Sequence, residues 1–175
     1  MKPMIIVVEG MDNTGKTTLA MKIAKAMRAV YVKAERPAVG PDLLVYQNIL
    51  ETATQYTGIC VADRHVAISE PIYGTICRGG HQLDEKDIES CIKRLGLIVY
   101  CRPPDRTIHR TIDLRPQMEG VVANTDRLIT AYDEFFFDMQ DQISYTQYNF
   151  ETRPDSEIVE YCRRIHHDHF KGAKA

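Results

Sequence analysis

Five short apolar runs, each followed by a segment of helical spacing, organise this chain. Met4-Ile5-Ile6-Val7-Val8 is a continuous β-favouring run without polar alternation, the pattern of a strand covered on both faces. Ala29 to Val32, Gly58 to Ala62 (ending at Asp63-Arg64) and Leu97 to Cys101 read as further strands, and Ser144 to Phe150 as a fifth, more polar one. Leu19, Ile23, Ala26 and Met27 recur at helical spacing after the first strand, and Leu43 to Leu50 reads as a second helix. Val66 to Arg78 reads as helix with Pro71 inside it, which predicts a kink or a late start. Asp84 is placed as an N-cap, with Asp87 three residues on and Leu83 and Ile88 as a hydrophobic staple, opening a helix to about Leu95.

Pro103-Pro104 opens a short helix, where proline is tolerated. Leu114 to Asn124 has no clear period and holds Pro116 and Gly120, so it reads as a flexible loop. Leu128, Tyr132, Phe135, Phe136, Met139 and Ile143 mark a long amphipathic helix whose aromatic stripe reads as core. Arg153-Pro154-Asp155 starts the last helix, with Ile158, Val159, Cys162 and Ile165 inward. Strands alternating with helices predict an α/β fold: a five-stranded parallel sheet flanked by helices, with ligands bound beyond the carboxyl ends of the strands.

With 175 residues, one domain accommodates these elements. The 22 basic and 24 acidic residues nearly cancel, which argues against a basic nucleic-acid coat and predicts no nucleic-acid partner. The longest apolar runs are far too short to span a bilayer, and no cleavage site follows an apolar core near Met1. The expectation is a cytoplasmic protein with no membrane association. The five cysteines are widely spaced and form no CxxC, so most of them read as buried thiols of a reducing compartment. His166-His167-Asp168-His169 invites a metal reading, but histidines at a helix C-terminus suit its dipole without one.

The chemistry is concentrated after the first strand. Gly10-Met11-Asp12-Asn13-Thr14-Gly15-Lys16-Thr17 matches GxxxxGK[ST] and lies between an apolar strand and an amphipathic helix, the context that gives the motif its meaning. Its glycines let successive N–H groups point at phosphate oxygens, and the helix adds its positive end. Lys16 would reach the β- and γ-phosphates of ATP, and Thr17 would ligate Mg²⁺. No Asn-Lys-x-Asp occurs, so a guanine-specifying GTPase loop is missing. A small phosphotransferase is the natural reading.

The stretch Val8-Glu9-Gly10-Met11-Asp12-Asn13-Thr14-Gly15-Lys16-Thr17-Thr18 resembles the P-loop of thymidylate kinases, with Glu-Gly-x-Asp ahead of the Gly-Lys-[Ser/Thr]-Thr. Asp63-Arg64-His65, with Ser69 and Tyr73-Gly74 downstream, resembles that family's Asp-Arg-[Tyr/His] motif, with one extra residue between arginine and serine. Arg127 and Tyr132 match a pattern in its long helix. The resemblance implies phosphoryl transfer from ATP to a deoxynucleoside monophosphate, dTMP in the family, with Mg²⁺ as cofactor. The implied ATP site is Gly10, Asn13, Thr14, Gly15, Lys16, Thr17 and Thr18, with Arg106 and Arg153. Asp63 would hold Mg²⁺ through water beside Thr17, and Arg64 would bridge donor and acceptor phosphates.

Arg36 matches the acceptor-phosphate arginine, Asp12 the carboxylate on the acceptor 3'-hydroxyl, and Tyr73 the side chain that favours deoxyribose; Ser69 belongs to the same acceptor set. Arg106, Arg110 and Arg115 are lid arginines, within a lid of about residues 106–124, supplying the charge that Asn13 does not. The family's thymine-reading Phe and Arg are replaced by Leu43-Leu44-Val45-Tyr46-Gln47-Asn48, where Tyr46 is the candidate for stacking and Gln47 or Asn48 for the base edge. A homodimer through helices flanking the acceptor site is a further family expectation. The rival readings are a deoxynucleoside kinase, a broad-specificity kinase of dGMP, dAMP or a modified pyrimidine nucleotide, and a nucleotide-binding regulator without turnover.

Overall fold

The computed structural model describes residues 3–34 and 42–171. β1 (Met4–Glu9) is the central strand, followed by α1 (Lys16–Met27), β2 (Val30–Lys33), α2 (Leu43–Thr57) and β3 (Ile59–Asp63). The chain continues through α3 (Val66–Arg78), α4 (Glu85–Ile92), β4 (Leu97–Cys101), α5 (Asp105–Thr111), α6 (Thr125–Asp138), β5 (Tyr145–Tyr148) and α7 (Asp155–Lys171). The sheet runs β2-β3-β1-β4-β5, and every pairing is parallel. This is the five-stranded parallel α/β sheet that the alternating pattern predicts.

Alternation along each strand divides the core in two. Ile5 and Val7 of β1, with Cys60, Ala62, Ile98 and Tyr100, face one layer built from α2, α3, α5 and α6. Met4, Ile6 and Val8, with Ile59, Val61, Leu97 and Val99, face α1 and α7 on the other side. Both faces of β1 are thereby buried, which is why its sequence shows no polar alternation. The aromatic stripe of α6 is core, as its spacing predicts: Tyr132 and Phe136 are buried, and Phe136 stacks on Tyr100 with ring centroids 4.1 Å apart.

Several boundaries differ from the sequence expectation for local reasons. α2 runs on past Leu50 to Thr57, because Ala53 and Thr54 continue its buried face until Gly58 ends it in the left-handed region. α3 starts at Val66 without delay; the His65 side chain caps it by accepting from the Ala67 N–H, and Pro71 is carried inside the helix. The Asp84 cap is present, accepting from the Lys86 and Asp87 N–H groups, and Ile88 is buried with Leu83 packed on the same cluster. α4 ends as regular helix at Ile92, before Leu95. Pro104 sits at the cap position of α5 rather than in its first turn. The 114–124 stretch carries a 3-10 turn at Val122–Asn124 and buries Val121 in the core.

Candidate functional site

The carboxyl ends of β1 and β3 lie side by side, since Val8 is in register with Asp63. The loop after β1 and the residues after β3 therefore meet at one edge of the sheet. Gly10 is held at φ +138°, and a Cβ there would sit 2.5 Å from the Cys101 carbonyl oxygen. The loop leaves β1 against the backbone of β4, a path open to glycine alone. Gly15 turns through φ +85° into α1. Asn13 and Arg64 are also in the left-handed region, at +59° and +74°, and for non-glycine residues such backbone is kept only where the surroundings enforce it.

Glu9 is the enforcer. Its carboxylate is fully buried and accepts from the Gly10 N–H at 3.0 Å, the His65 N–H at 2.8 Å and the Tyr132 hydroxyl at 3.1 Å. It staples the start of the glycine loop to the segment after β3. Burial raises its pKa, against the opposing pull of Arg64. Sequence reading names Glu9 only as part of the loop motif; its place under both loops appears only in three dimensions.

Arg64 lies at the centre of the arrangement. Its guanidinium donates to the Asp12 carboxylate at 2.6 Å, to the Tyr73 hydroxyl at 3.3 Å and to the Tyr132 hydroxyl at 3.4 Å. The Tyr73 hydroxyl donates in turn to the other Asp12 oxygen at 3.0 Å. Burial disfavours the Asp12 charge, yet Arg64 and Lys16 hold that carboxyl below its usual range. Lys16 is buried, its ammonium donating to the Met11 carbonyl. Desolvation, with the nearby Arg64 charge second, pushes Lys16 down to about 8.

On the other side of the loop, the Thr17 hydroxyl donates to Asp63 at 2.6 Å, and the Tyr31 hydroxyl donates to the same oxygen at 3.0 Å. A hydroxyl and a carboxylate on one wall form a hard-oxygen set suited to Mg²⁺, which takes one or two protein oxygens and keeps several waters. Among the described residues no group of three or more His, Cys, Asp and Glu is placed to hold a metal ion. Burial pushes the Cys60, Cys101 and Cys162 thiols up to about 12, so none of these is a nucleophile near neutral pH.

The loop after β1 and the residues after β3 line one cleft of about 950 Å³. Asp12, Asn13, Gly15, Lys16, Thr17 and Thr18 form its loop side. Asp63, Arg64, Ser69 and Tyr73 form the wall after β3, and Arg115 reaches it from the segment after α5. Gly10 and Thr14 lie beneath the loop, where the Thr14 hydroxyl donates to the Met11 carbonyl at 2.8 Å. Asn13 donates through its amide to the Thr111 and Ile112 carbonyls at 2.6 and 3.3 Å, tying the loop to the end of α5.

Other residues named from sequence lie elsewhere. Arg106 and Arg110 are exposed and face Glu151, at 3.6 and 3.9 Å, rather than lining the cleft. Arg153 donates to the Thr146 hydroxyl and the Gln147 carbonyl at the β5 edge. Tyr46 stands behind the site and donates to the Arg64 carbonyl at 2.9 Å. Gln47 is buried against His65, and α2 contributes no described residue to the cleft. Arg36 lies outside the described residues. The sequence reading passes over Lys33, Glu70 and Arg78, which do line the cleft. Glu70 and Arg78 are signalled only by their eight-residue spacing on one helix.

No protein-family model matches the chain, and no curated protein matches it in sequence. Solved structures do. The YorR protein of Bacillus subtilis, solved in complex with phosphorylated GDP, superimposes with a TM-score of 0.66 at 18% identity, covering 94% of this chain and 98% of its own. Deoxyadenosine kinase from M. mycoides, with dCMP and dCDP bound, gives 0.60 at 15% identity over 92% and 97%. Thymidylate kinase from Ehrlichia chaffeensis gives 0.58 at 14% identity over 94% and 99%. What they share with this chain is the fold. It is a fold that phosphotransferases of nucleosides and of nucleotides both use.

Proposed function

We propose that the chain is a P-loop nucleotide kinase that transfers the terminal phosphoryl group of ATP to a deoxynucleoside monophosphate, giving the diphosphate. The observation that carries this reading is Arg64. A left-handed backbone and four polar neighbours, Glu9, Asp12, Tyr73 and Tyr132, hold its guanidinium against the glycine loop at the Asp12–Tyr73 pair. Binding ATP alone needs no such group. Joining two polyanions does, because their mutual repulsion must be neutralised before their oxygens can approach.

In this reading Gly10 to Thr18 wrap the triphosphate, and Lys16 neutralises its β- and γ-phosphates. Arg64 bridges donor and acceptor, Asp12 accepts from the acceptor sugar's 3'-hydroxyl, and Tyr73 crowds its 2'-position. Ser69 lies on the same acceptor wall, Arg115 adds charge from the lid side, and Arg36 completes the acceptor-phosphate loop. Arg106, Arg110 and Arg153 belong to the donor end, where lid movement over residues 106–124 would bring the first two inward from Glu151. Thr17 and, through water, Asp63 would hold Mg²⁺, which supplies charge neutralisation on the phosphates. The reaction needs no covalent intermediate: the chain's own residues hold the two phosphates in line and exclude water.

A phosphate acceptor also suits the acid–base chemistry. Its attacking oxygen is already ionised, whereas a nucleoside hydroxyl needs a base. Asp12 is held ionised by Arg64 and Lys16 and is thus a weak base, and Asp63 is engaged by Thr17 and Tyr31. The thymidylate kinase resemblance points to dTMP; dGMP, dAMP or a modified pyrimidine nucleotide fits the same phosphate and sugar groups. A deoxynucleoside acceptor is the second reading, favoured by the likeness to deoxyadenosine kinase. Homodimerisation and a cytoplasmic location go with the family reading; no helix among the described residues is long and apolar enough to cross a membrane.

The test is an acceptor panel with Mg²⁺–ATP, following ADP release with deoxynucleosides and with deoxynucleoside monophosphates. Turnover is expected with a monophosphate, and Lys16→Met is expected to lower it by about 10³-fold or more without loss of folded structure. Turnover with nucleosides alone would select the second reading. ATP binding without turnover on any acceptor would make the chain a regulator.

A further inference from the structure

Tyr31 has no place in the phosphate and sugar chemistry, yet its hydroxyl ends on a carboxylate of the cleft. β2 and β3 run in parallel, with Tyr31 in register with Val61 and Lys33 with Asp63. The Tyr31 ring packs on the core layer that faces α1 and α7. From there its hydroxyl reaches forward to Asp63 Oδ2 at 3.0 Å. Thr17, in the first turn of α1, donates to the same oxygen at 2.6 Å. Asp63 Oδ1 receives no donor among the described residues.

Three carboxylates line the cleft among the described residues: Asp12, Asp63 and Glu70. Two of them have a cation beside them. Asp12 pairs with Arg64 at 2.6 Å, and Glu70 with Arg78, eight residues on in the same helix. Asp63 is different. It is buried, and its partners are two neutral hydroxyls. It makes no ion pair among the described residues, not even with Lys33 beside it in register. A buried charge is ordinarily paired or meets a metal ion. A neutral hydroxyl holds a carboxylate without cancelling its charge, whereas an ammonium or guanidinium in the same place would repel an arriving cation.

We propose, building on the reading of Thr17 and Asp63 as the Mg²⁺ wall, that Tyr31 is a positioning residue for that wall. Its proton, with that of Thr17, fixes the rotation of the Asp63 carboxylate and keeps Oδ2 on the hydroxyls, which leaves Oδ1 for a water of the ion. Thr17 is oriented by the same arrangement. A hydroxyl has one proton and two lone pairs, and with the proton given to Asp63 the lone pairs are left for the cation. Partners that hydrogen-bond a metal-binding carboxylate change metal affinity by about 10- to 100-fold when they are removed.

The experiment is calorimetric titration of the full chain with ATP, in excess Mg²⁺ and again in EDTA, for the native protein and for Tyr31→Phe. The native chain should bind ATP more tightly with Mg²⁺. Phenylalanine keeps the ring on the core and removes only the hydroxyl, so the variant should match the native affinity in EDTA within about twofold. Mg²⁺ should then improve its affinity about tenfold less than it improves the native one. A Mg²⁺ gain within about twofold of native would overturn the role of Tyr31 and leave the Mg²⁺ wall standing. Equal losses with and without the ion would assign the hydroxyl to folding and also overturn it. A native chain that binds ATP no better with Mg²⁺ would remove the wall itself, and Tyr31's role with it.

Discussion

Lys16 carries its charge at a cost when it stands alone in the cleft. Burial and the nearby Arg64 favour its neutral form, pushing it down to about 8. The phosphates of ATP reverse that balance, because two or three negative charges next to the ammonium favour protonation. ATP binding should therefore take up a fraction of a proton, approaching one, between about pH 8 and 10. Calorimetry of ATP binding in two buffers of different ionisation enthalpy, near pH 8.5, reads this as a difference in observed heat. Lys16→Met should abolish the difference. Equal heats with the native protein would mean that the lysine does not meet the triphosphate. The loop motif makes Lys16 legible in the sequence. Glu9 and Tyr132 are each legible as part of a motif, but their pairing is not, because a hydrogen bond between residues 123 positions apart leaves no local pattern.

At the scale of elements, the glycine loop is shaped by the strand beside it as much as by its own sequence. Gly10 is packed against the Cys101 carbonyl at the end of β4, which excludes any side chain. Gly10→Ala combines this clash with a φ of +138° and should lower stability by about 2–3 kcal/mol, measured by urea unfolding. Loss of less than about 0.5 kcal/mol would mean that loop and strand part easily. Strand and helix identities are legible throughout because hydrophobic period decides them, and the Asp84 cap is legible because its chemistry is local. Less legible are ends set from a distance. α2 extends to Thr57 because its buried face continues through polar Thr54, and Tyr46 turns its hydroxyl to the Arg64 carbonyl, a partner its own helix does not signal. Arg106 and Arg110 share a helix face as their spacing predicts, but spacing does not reveal that Glu151 faces them.

For the molecule as a whole, one buried imidazole should govern acid stability. His65 is fully buried, accepts at Nδ1 from the Ala67 N–H, and meets the Gln47 side-chain oxygen at 3.1 Å through Nε2, so it is held neutral. Burial pushes its pKa down to about 3. Between about pH 6.5 and 3 the unfolded chain binds a proton that the folded chain refuses, so stability falls as pH falls, by up to ~1.4 kcal/mol per unit. Glu9, whose pKa is raised, works in the opposite sense above its ordinary value. The comparison that isolates His65 is urea unfolding of the native chain and of His65→Gln at pH 7 and pH 5. The variant should lose clearly less stability on acidification; equal losses would refute the assignment.

The order β2-β3-β1-β4-β5 also bears on how the molecule is made. The strand that ends in the glycine loop precedes the other four in sequence and sits in the middle of the sheet. Its neighbours are residues 59–63 and 97–101, so synthesis must pass residue 101 before both its edges are covered. Until then Met4–Glu9 is an unprotected apolar strand edge, the kind of segment that chaperones hold and that aggregates form around. Pairings this distant in sequence also close slowly. The arrangement that gives the glycine loop a rigid floor thus makes the newborn chain most exposed where the finished one is most deeply enclosed.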